Sequence, residues 1–165
     1  MKILRLALAG LCTAAALSSL PAETVEARPA PDWKLKDLDG NVVSSEQLKG
    51  KVVVVDFWAT WCGPCRMEIP GYVALQKKYP KELAIVGVSV DAQGSGVVKK
   101  FVEKNNVDYR IVMADDDVLA AFGGEEGIRA IPTTFIIDRE GKIRDRKVGA
   151  EETAEFEQRL LKYLK

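Results

Sequence analysis

The feature that most constrains the fold is an apolar run of seven residues, 52–58, which only Asp56 interrupts. Its valines and aromatic residues favour a β-strand, and its near-continuous apolar character is typical of a strand buried on both faces. Gly63-Pro64 follows this run and predicts the start of a helix that continues to about Tyr79, because proline's missing N–H costs nothing in a first helical turn. Together the two elements predict an α/β fold in which helices cover both faces of a sheet.

The remaining sequence alternates strands with helices, as a mixed α/β sheet requires. Asp39-Gly40 lies at the centre of the alternating segment 33–44 and predicts a β-hairpin. The proline-rich residues 28–31 are expected to form an irregular lead-in. We expect further strands at 83–90, 109–113, 133–137 and 143–148, and further helices at 95–105, 117–122 and 153–164.

The composition excludes several kinds of chemistry. The 165 residues include no histidine, which excludes Ser-His-Asp and Cys-His catalysis and histidine-ligated metal sites. Three cysteines, Cys12, Cys62 and Cys65, are too few for a four-ligand Cys/His zinc site. Lys and Arg number 24, and so do Asp and Glu, which leaves no basic excess for nucleic-acid binding. The chemistry must come from thiols, carboxylates, hydroxyls or a bound cofactor, and we predict neither a metal nor a cofactor.

Residues 1–27 have the pattern of a secretory signal peptide: a charged start, the apolar run 6–17 and the small-residue site Val25-Glu26-Ala27. The apolar run is shorter than the about 20 residues that a membrane-spanning helix needs. We therefore predict export to the periplasm with cleavage after Ala27, which leaves one domain of residues 28–165. Cleavage after Ala22 is a second option, and an uncleaved segment that holds the protein at the membrane is the alternative.

The predicted mature chain retains two cysteines, in the motif Trp61-Cys62-Gly63-Pro64-Cys65. The motif follows a buried strand and opens a helix, which is the context of a redox-active cysteine pair. Unpaired N–H groups and the positive end of the helix dipole lower the pKa of a thiol at this place, so Cys62 is predicted to be the nucleophile. Cys65 lies one turn further along, close enough for a Cys62–Cys65 disulfide, and is predicted to resolve the mixed disulfide with a substrate.

Two segments resemble the thioredoxin family. Residues 55–67, VDFWATWCGPCRM, resemble its active-site stretch, and residues 127–133, GIRAIPT, resemble the loop that carries a cis-proline. The hairpin, the strand that ends at Asp91 and the additional segment 91–127 are similar to the exported TlpA/ResA-type thiol-disulfide oxidoreductases. The resemblance implies a thioredoxin fold, a central mixed β-sheet flanked by helices, with an N-terminal β-hairpin and a central αβ insert.

The resemblance also implies roles for residues around the motif. Asp56 is expected to be a buried acid that takes a proton from Cys65, since burial raises the pKa of a carboxyl group. Glu68 follows Cys65 by one turn, and its negative charge is expected to raise the pKa values of the thiol pair. Ile131 and a cis-Pro132 would present backbone to an extended substrate, and Trp61 would shield one side of the disulfide.

One position departs from thioredoxin. Gly87 stands where thioredoxin has the lysine that partners its buried acid. Asp56 is therefore expected to lack a cationic neighbour.

The resemblance implies a reductase of protein disulfides, with those of apocytochrome c as candidate substrates and a membrane thiol carrier as electron donor. The Gly-Pro between the cysteines favours the reducing direction, and an oxidase or disulfide isomerase on the same fold is the alternative. A peroxide-reducing enzyme would need a Thr-x-x-Cys nucleophile, but Thr60 and Cys62 are only two residues apart. A copper-binding module would be expected to add a histidine. We expect the protein to be a monomer.

Overall fold

The computed structural model describes residues 27–124 and 127–164. The predicted signal peptide therefore lies outside the described residues, except for Ala27. Within these ranges no helix is long and apolar enough to cross a membrane.

The described chain alternates strands and helices as the sequence predicts. The strands are β1 Arg28–Pro29, β2 Lys34–Lys36, β3 Val42–Ser44, β4 Val52–Trp58, β5 Leu83–Ser89, β6 Arg110–Met113, β7 Thr133–Ile137 and β8 Lys142–Val148. The helices are α1 Gly63–Lys78, α2 Ser95–Lys104, α3 Asp116–Gly123 and α4 Thr153–Leu164, with a short 3-10 helix at Ser45–Leu48.

The main sheet formed by the described residues has the strand order β1-β8-β7-β4-β5-β6. Strand β4 is central, parallel to β5 and antiparallel to β7, and all of its residues are buried. Its register places Asp56 opposite Gly87 on β5 and Thr134 on β7. Paired residues of neighbouring strands point to the same face of a sheet, so Asp56 and Thr134 share a face.

Alternate residues of β4 supply two separate apolar cores, which confirms that the strand is buried on both faces. Val54 and Trp58 pack with buried residues of α1, α2 and α4, while Val55 and Phe57 pack with α3 and the β2–β3 hairpin. This is the predicted thioredoxin fold, a mixed sheet with helices on both faces.

The N-terminal hairpin forms where the sequence predicts it. Asp37 closes its turn, because its Oδ1 accepts hydrogen bonds from the N–H groups of Asp39 (2.9 Å) and Asn41 (2.8 Å). Gly40 adopts a φ of 86°, a conformation that favours glycine. An isolated bridge from Asp37 to Val112 attaches the hairpin to β6 at the sheet edge.

The lead-in is more ordered than the sequence indicates. Arg28 and Pro29 pair with Ile143 and Lys142, and the Ala30 N–H donates to a carbonyl of the β7–β8 turn at 2.8 Å. Proline is compatible with an edge strand, where one row of backbone groups needs no partner strand. The pairing joins residues more than 100 positions apart, so local sequence patterns contain no sign of it.

Close packing accounts for Gly87. A Cβ atom built at this position would lie 2.8 Å from Trp58 Nε1, 2.7 Å from Ile111 Cδ1 and 3.2 Å from Tyr109 Cε2. The Trp58 indole therefore occupies the space next to β5 that a side chain at position 87 would need.

We predict that Gly87→Ala lowers the free energy of unfolding by about 1–3 kcal/mol, because the rigid indole of Trp58 cannot yield to the added methyl group. Urea denaturation followed by tryptophan fluorescence measures the change. Gly96→Ala is the matched control, since this glycine lies in α2 with no atom within 4 Å of the added carbon. The control should be neutral or stabilising by up to about 1 kcal/mol, and equal urea midpoints for the two variants would contradict the packing argument.

Candidate active site

The two cysteines lie at the first turn of α1 and form a disulfide. Cys62 is the N-cap residue, and its Sγ accepts a hydrogen bond from the Cys65 N–H at 3.2 Å. Pro64 follows within the first turn, where its missing N–H leaves no hydrogen bond unmade. Cys62 is 5% exposed and Cys65 only 2%. The helix start can stabilise negative charge on the Cys62 sulfur when the disulfide is reduced, while Cys65 is the more enclosed of the pair.

The loop before the cysteines is fixed by Asp91. Its carboxylate accepts hydrogen bonds from the Thr60 N–H (2.9 Å), the Thr60 hydroxyl (2.6 Å) and the Ser89 hydroxyl (2.8 Å). Asp91 therefore connects the end of β5 to the turn that leads into Cys62. Sequence reasoning did not assign Asp91 a role, although parallel strands β4 and β5 end at the same edge of the sheet.

The expected substrate-binding residues lie around this edge. The Ile131–Pro132 peptide bond is cis, and the Pro132 carbonyl accepts a hydrogen bond from the Gly149 N–H at 2.9 Å. Ile131 packs against the cluster of buried side chains that contains both cysteines. Trp61 is 67% exposed. The roles of these three residues in substrate binding stay predictions.

Asp56 is a carboxylic acid buried in the centre of the sheet. Burial first, and then the negative charge of Glu68, raise its pKa to about 8. Its Oδ1 accepts a hydrogen bond from the Thr134 hydroxyl at 3.3 Å, which opposes the shift. Among the described residues no salt bridge to Asp56 is present, in keeping with the glycine at position 87. Asp56 can therefore exchange a proton near neutral pH.

Glu68 is a second buried acid rather than a solvated helix residue. It is 6% exposed, and its Oε1 accepts a hydrogen bond from the Glu151 N–H at 3.1 Å. The other oxygen, Oε2, is buried without a hydrogen bond shorter than 3.5 Å to any described residue. Burial is the main cause that raises its pKa to about 7. The negative charge of Glu68 raises the pKa of Asp56. The effect of Glu68 on the thiols stays a prediction.

Two hydroxyl groups near these acids were not anticipated from the sequence. Thr134 Oγ1 lies 3.3 Å from Tyr72 Oη as well as 3.3 Å from Asp56 Oδ1. Tyr72 follows Glu68 by four residues on α1, so both side chains occupy one face of the helix. The helical spacing could have drawn attention to Tyr72, whereas the contact with Thr134 depends on the strand register.

Comparison with known proteins agrees with this arrangement. The AhpC/TSA family model matches residues 27–146, which is more than two thirds of the chain. The chain belongs to the AhpC/TSA family. Two relatives are the thioredoxin-like protein YneN of Bacillus subtilis (strain 168), 36% identical over 137 residues, and the thiol-disulfide oxidoreductase ResA of Bacillus anthracis, 32% identical over 131 residues. These alignments cover 82% of this chain and 78% of YneN, and 79% of this chain and 73% of ResA.

A solved structure in the same group is the thiol:disulfide interchange protein of Chlorobium tepidum TLS. It matches with a TM-score of 0.78 at 35% identity, over 86% of this chain and 99% of that one. This AhpC/TSA family member is thus a thioredoxin-like thiol-disulfide oxidoreductase of the ResA type, as the sequence resemblance implied.

The raised pKa values of the buried acids predict a pH-dependent stability. An unfolded chain releases the Asp56 proton near pH 4, whereas the folded chain keeps it until about pH 8. The folded protein therefore binds more protons in this interval, and the contribution of Asp56 to the free energy of unfolding decreases as the pH rises from about 4 to about 8.

We expect the oxidised Asp56→Asn variant to become more stable than the wild type with rising pH, by at least about 2 kcal/mol at pH 8.5 and much less at pH 5. Urea denaturation at several pH values gives the difference. Glu103→Gln, a change of an exposed acid on α2, serves as the control and should show no such trend. A stability difference for Asp56→Asn that does not vary with pH would contradict the raised pKa.

Proposed function

We propose that this protein is an exported reductase of protein disulfides that acts through the Cys62–Cys65 dithiol. The observation that carries the proposal is the position of Cys62 at the N-cap of α1, where its sulfur accepts the Cys65 N–H. This is the place in a helix at which a thiolate is best stabilised. The names of the ResA relatives support the same class of reaction.

The reaction proceeds in two exchanges. The Cys62 thiolate attacks a substrate disulfide, so a Cys62–substrate bond forms, the substrate S–S bond breaks, and one substrate thiolate leaves and takes a proton from water. Cys65 then gives its proton to Asp56, directly or through a water molecule, and attacks Cys62 Sγ. The Cys62–Cys65 disulfide forms and the second substrate thiolate leaves. Two electrons pass from the protein to the substrate.

Neighbouring residues have supporting roles in this scheme. Ile131 and Pro132 would offer backbone groups to an extended substrate segment, and Trp61 would cover one side of the disulfide. Glu68 would hold a negative charge close enough to the pair to oppose a second thiolate. The substrate is expected to be a disulfide-containing protein, with apocytochrome c as one candidate.

The direction of electron flow depends on the reduction potential. A potential below about −220 mV would make the protein a reductant, and one above about −180 mV would favour an oxidase or isomerase. We expect the lower value because Gly-Pro separates the cysteines, as in thioredoxin, whose potential is about −270 mV. Equilibration of residues 28–165 with graded thiol-disulfide buffers gives the value. A potential above about −180 mV would overturn the reductase proposal.

A covalent trap tests the roles of the two cysteines. Cys65→Ser should accumulate a mixed disulfide between Cys62 and a substrate such as insulin, because the residue that resolves this bond is missing. Cys62→Ser should form at least about tenfold less adduct, since Cys65 lies inside the helix and not at the N-cap position where a thiolate is stabilised. Non-reducing mass spectrometry measures both. Adduct formation by Cys62→Ser at the level of Cys65→Ser would show that Cys62 is not the nucleophile.

Export and electron supply complete the proposal. We propose that residues 1–27 direct export and are removed, so that residues 28–165 function as a thioredoxin-like domain in the periplasm. An oxidising compartment makes an electron donor necessary, and a membrane thiol carrier fits this need. The intact mass of the exported protein tests the cleavage after Ala27. A mass that includes residues 1–27 would favour the membrane-held form.

The family match leaves a peroxide-reducing activity as a second candidate, which the sequence does not favour. The Thr-x-x-Cys spacing of such enzymes is absent at Cys62 because Ala59 precedes it by three positions.

A further inference from the structure

Two hydroxyl groups, those of Thr134 and Tyr72, lie near the buried acids Asp56 and Glu68. The Thr134 hydroxyl donates to Asp56 Oδ1 at 3.3 Å and lies 3.3 Å from the Tyr72 hydroxyl. The Tyr72 side chain also lowers the pKa of Glu68. Glu68 Oε2 has no hydrogen bond shorter than 3.5 Å to a described residue, so a direct Tyr72–Glu68 hydrogen bond has to form by a movement of these side chains. The chain of groups therefore runs from the centre of the sheet, across α1, toward Glu151.

Each hydroxyl in this chain has a single proton, so the directions of its hydrogen bonds are coupled. When Asp56 is ionised, Thr134 donates to it and must accept from Tyr72, which then accepts from a protonated Glu68. When Glu68 is ionised, every bond is reversed and Asp56 carries the proton. Once the Tyr72–Glu68 contact closes, both arrangements satisfy all four groups, and they differ only in which acid is protonated.

The surroundings of Asp56 disfavour two negative charges. The titratable groups that face it are Glu68 and Tyr72 from α1 and Tyr109 from the segment before β6. Strand β7 contributes Thr134, and β5 has glycine at the facing position. Burial raises the pKa values of both tyrosines well above 10, so both stay neutral.

The acidic side chains at and around Glu68 outnumber the basic side chains that interact with them. Glu151 donates its N–H to Glu68, and its carboxylate lies 2.8 Å from Arg159 of α4. Arg159 also pairs with Asp145 at 3.0 Å, so its charge is divided between two acids. Lys147 acts on Glu151 from β8. A charged Glu68 and a charged Asp56 together would therefore be poorly compensated.

We propose that Thr134 and Tyr72 are positioning residues of a hydroxyl bridge through which Asp56 and Glu68 share one proton. The proposal rests on the proposed function, in which Asp56 accepts the proton of Cys65. The acid pair accepts this proton while Asp56 is ionised and Glu68 holds the shared proton, so Glu68 first releases its proton to solvent water. The bridge then restores the starting state: the Asp56 O–H bond breaks, each hydroxyl passes on one proton, and a Glu68 O–H bond forms. No electrons move, and Asp56 is ionised again for the next turnover.

The two contacts of the Thr134 hydroxyl are long for hydrogen bonds. Both oxygen–oxygen distances, 3.3 Å, exceed the usual 2.7–2.8 Å of an O–H···O bond by about half an ångström. Hydrogen bonds to an ionised carboxylate are shorter, so these contacts are expected to shorten when the acid pair loses one of its two protons and the remaining proton is shared.

A double-mutant cycle tests the bridge. Carbon-13 NMR titration of the oxidised protein gives the pKa of Asp56 with and without Glu68→Gln, and the difference measures the coupling of the two acids. We expect the coupling to be about one pKa unit or more in the wild type. In the Tyr72→Phe background it should fall to less than half, because only the interaction through space remains.

Tyr109→Phe is the matched control. Its hydroxyl is buried without a hydrogen-bond partner in the described parts of the chain, and its ring stands edge-to-face on Tyr72 at 6.2 Å. The control should leave the coupling unchanged. Thr134→Val keeps the shape of the side chain, removes the other hydroxyl and should reproduce Tyr72→Phe, so it replaces that variant if α1 does not tolerate phenylalanine. Full coupling in both hydroxyl variants would overturn the proposal.

Kinetics separate failure of the bridge from failure of the proposed function. We expect Tyr72→Phe to slow the resolution of the mixed disulfide by about three- to tenfold at pH 7 and to shift its pH profile, while the attack by Cys62 is unchanged. A resolution rate that Asp56→Asn does not alter would refute Asp56 as the proton acceptor of the proposed reaction, on which the bridge depends, while the reductase itself is tested by the reduction potential and the covalent trap. A rate that responds to Asp56→Asn but not to Tyr72→Phe or Thr134→Val would refute the bridge alone.

Discussion

The burial of β4 on both faces is the constraint on which the rest of the structure depends. A strand without a solvent-facing side must be covered twice, and the chain meets this need with α1, α2 and α4 on one face and with α3 and the hairpin on the other. The short connection from β4 to α1 places Cys62 at the edge of the sheet and at the start of a helix. The packing that buries β4 therefore also fixes the position of Cys62.

The same burial makes Asp56 an unusual acid. A carboxylate inside the sheet lacks water, and no cation from the described residues compensates for it, so its protonated form is favoured near neutral pH. Glu68 adds a second acid under similar conditions, at the cost of an imperfectly satisfied oxygen. Natural cores seldom retain such groups without a reason, and the proposed proton exchange with the cysteine pair supplies one.

The elements that the sequence could predict are those specified by neighbouring residues. The β4–α1 unit, the hairpin around Asp39-Gly40 and the cysteine pair all follow from local patterns and from the resemblance to the thioredoxin family. Strand β1, the Thr60–Asp91 hydrogen bonds and the Thr134–Tyr72 contact could not be predicted in this way. Each joins residues at least 31 positions apart, and the strand register that brings them together is set by the packing of the whole sheet.

The burial of Glu68 illustrates a further limit. The sequence shows that Glu68 lies one turn after Cys65. The surroundings of Glu68, however, depend on where Glu151 and α4 pack against α1. A helical carboxylate on a surface and one in a core have the same local sequence. The difference arises from tertiary contacts, and here it changes a solvated charge into a group that titrates near pH 7.

The short pairing of β1 with β8 has a consequence for the protein in concentrated solution. Beyond Ile143, the described residues provide no strand to cover the outer edge of β8, and an open edge can recruit the edge of another molecule. Arg144, Arg146 and Lys147 lie along this edge. Asp145 of the same strand is paired with Arg159, so two copies that approached along this part of β8 would bring mainly positive charges together, and these charges oppose edge-to-edge aggregation.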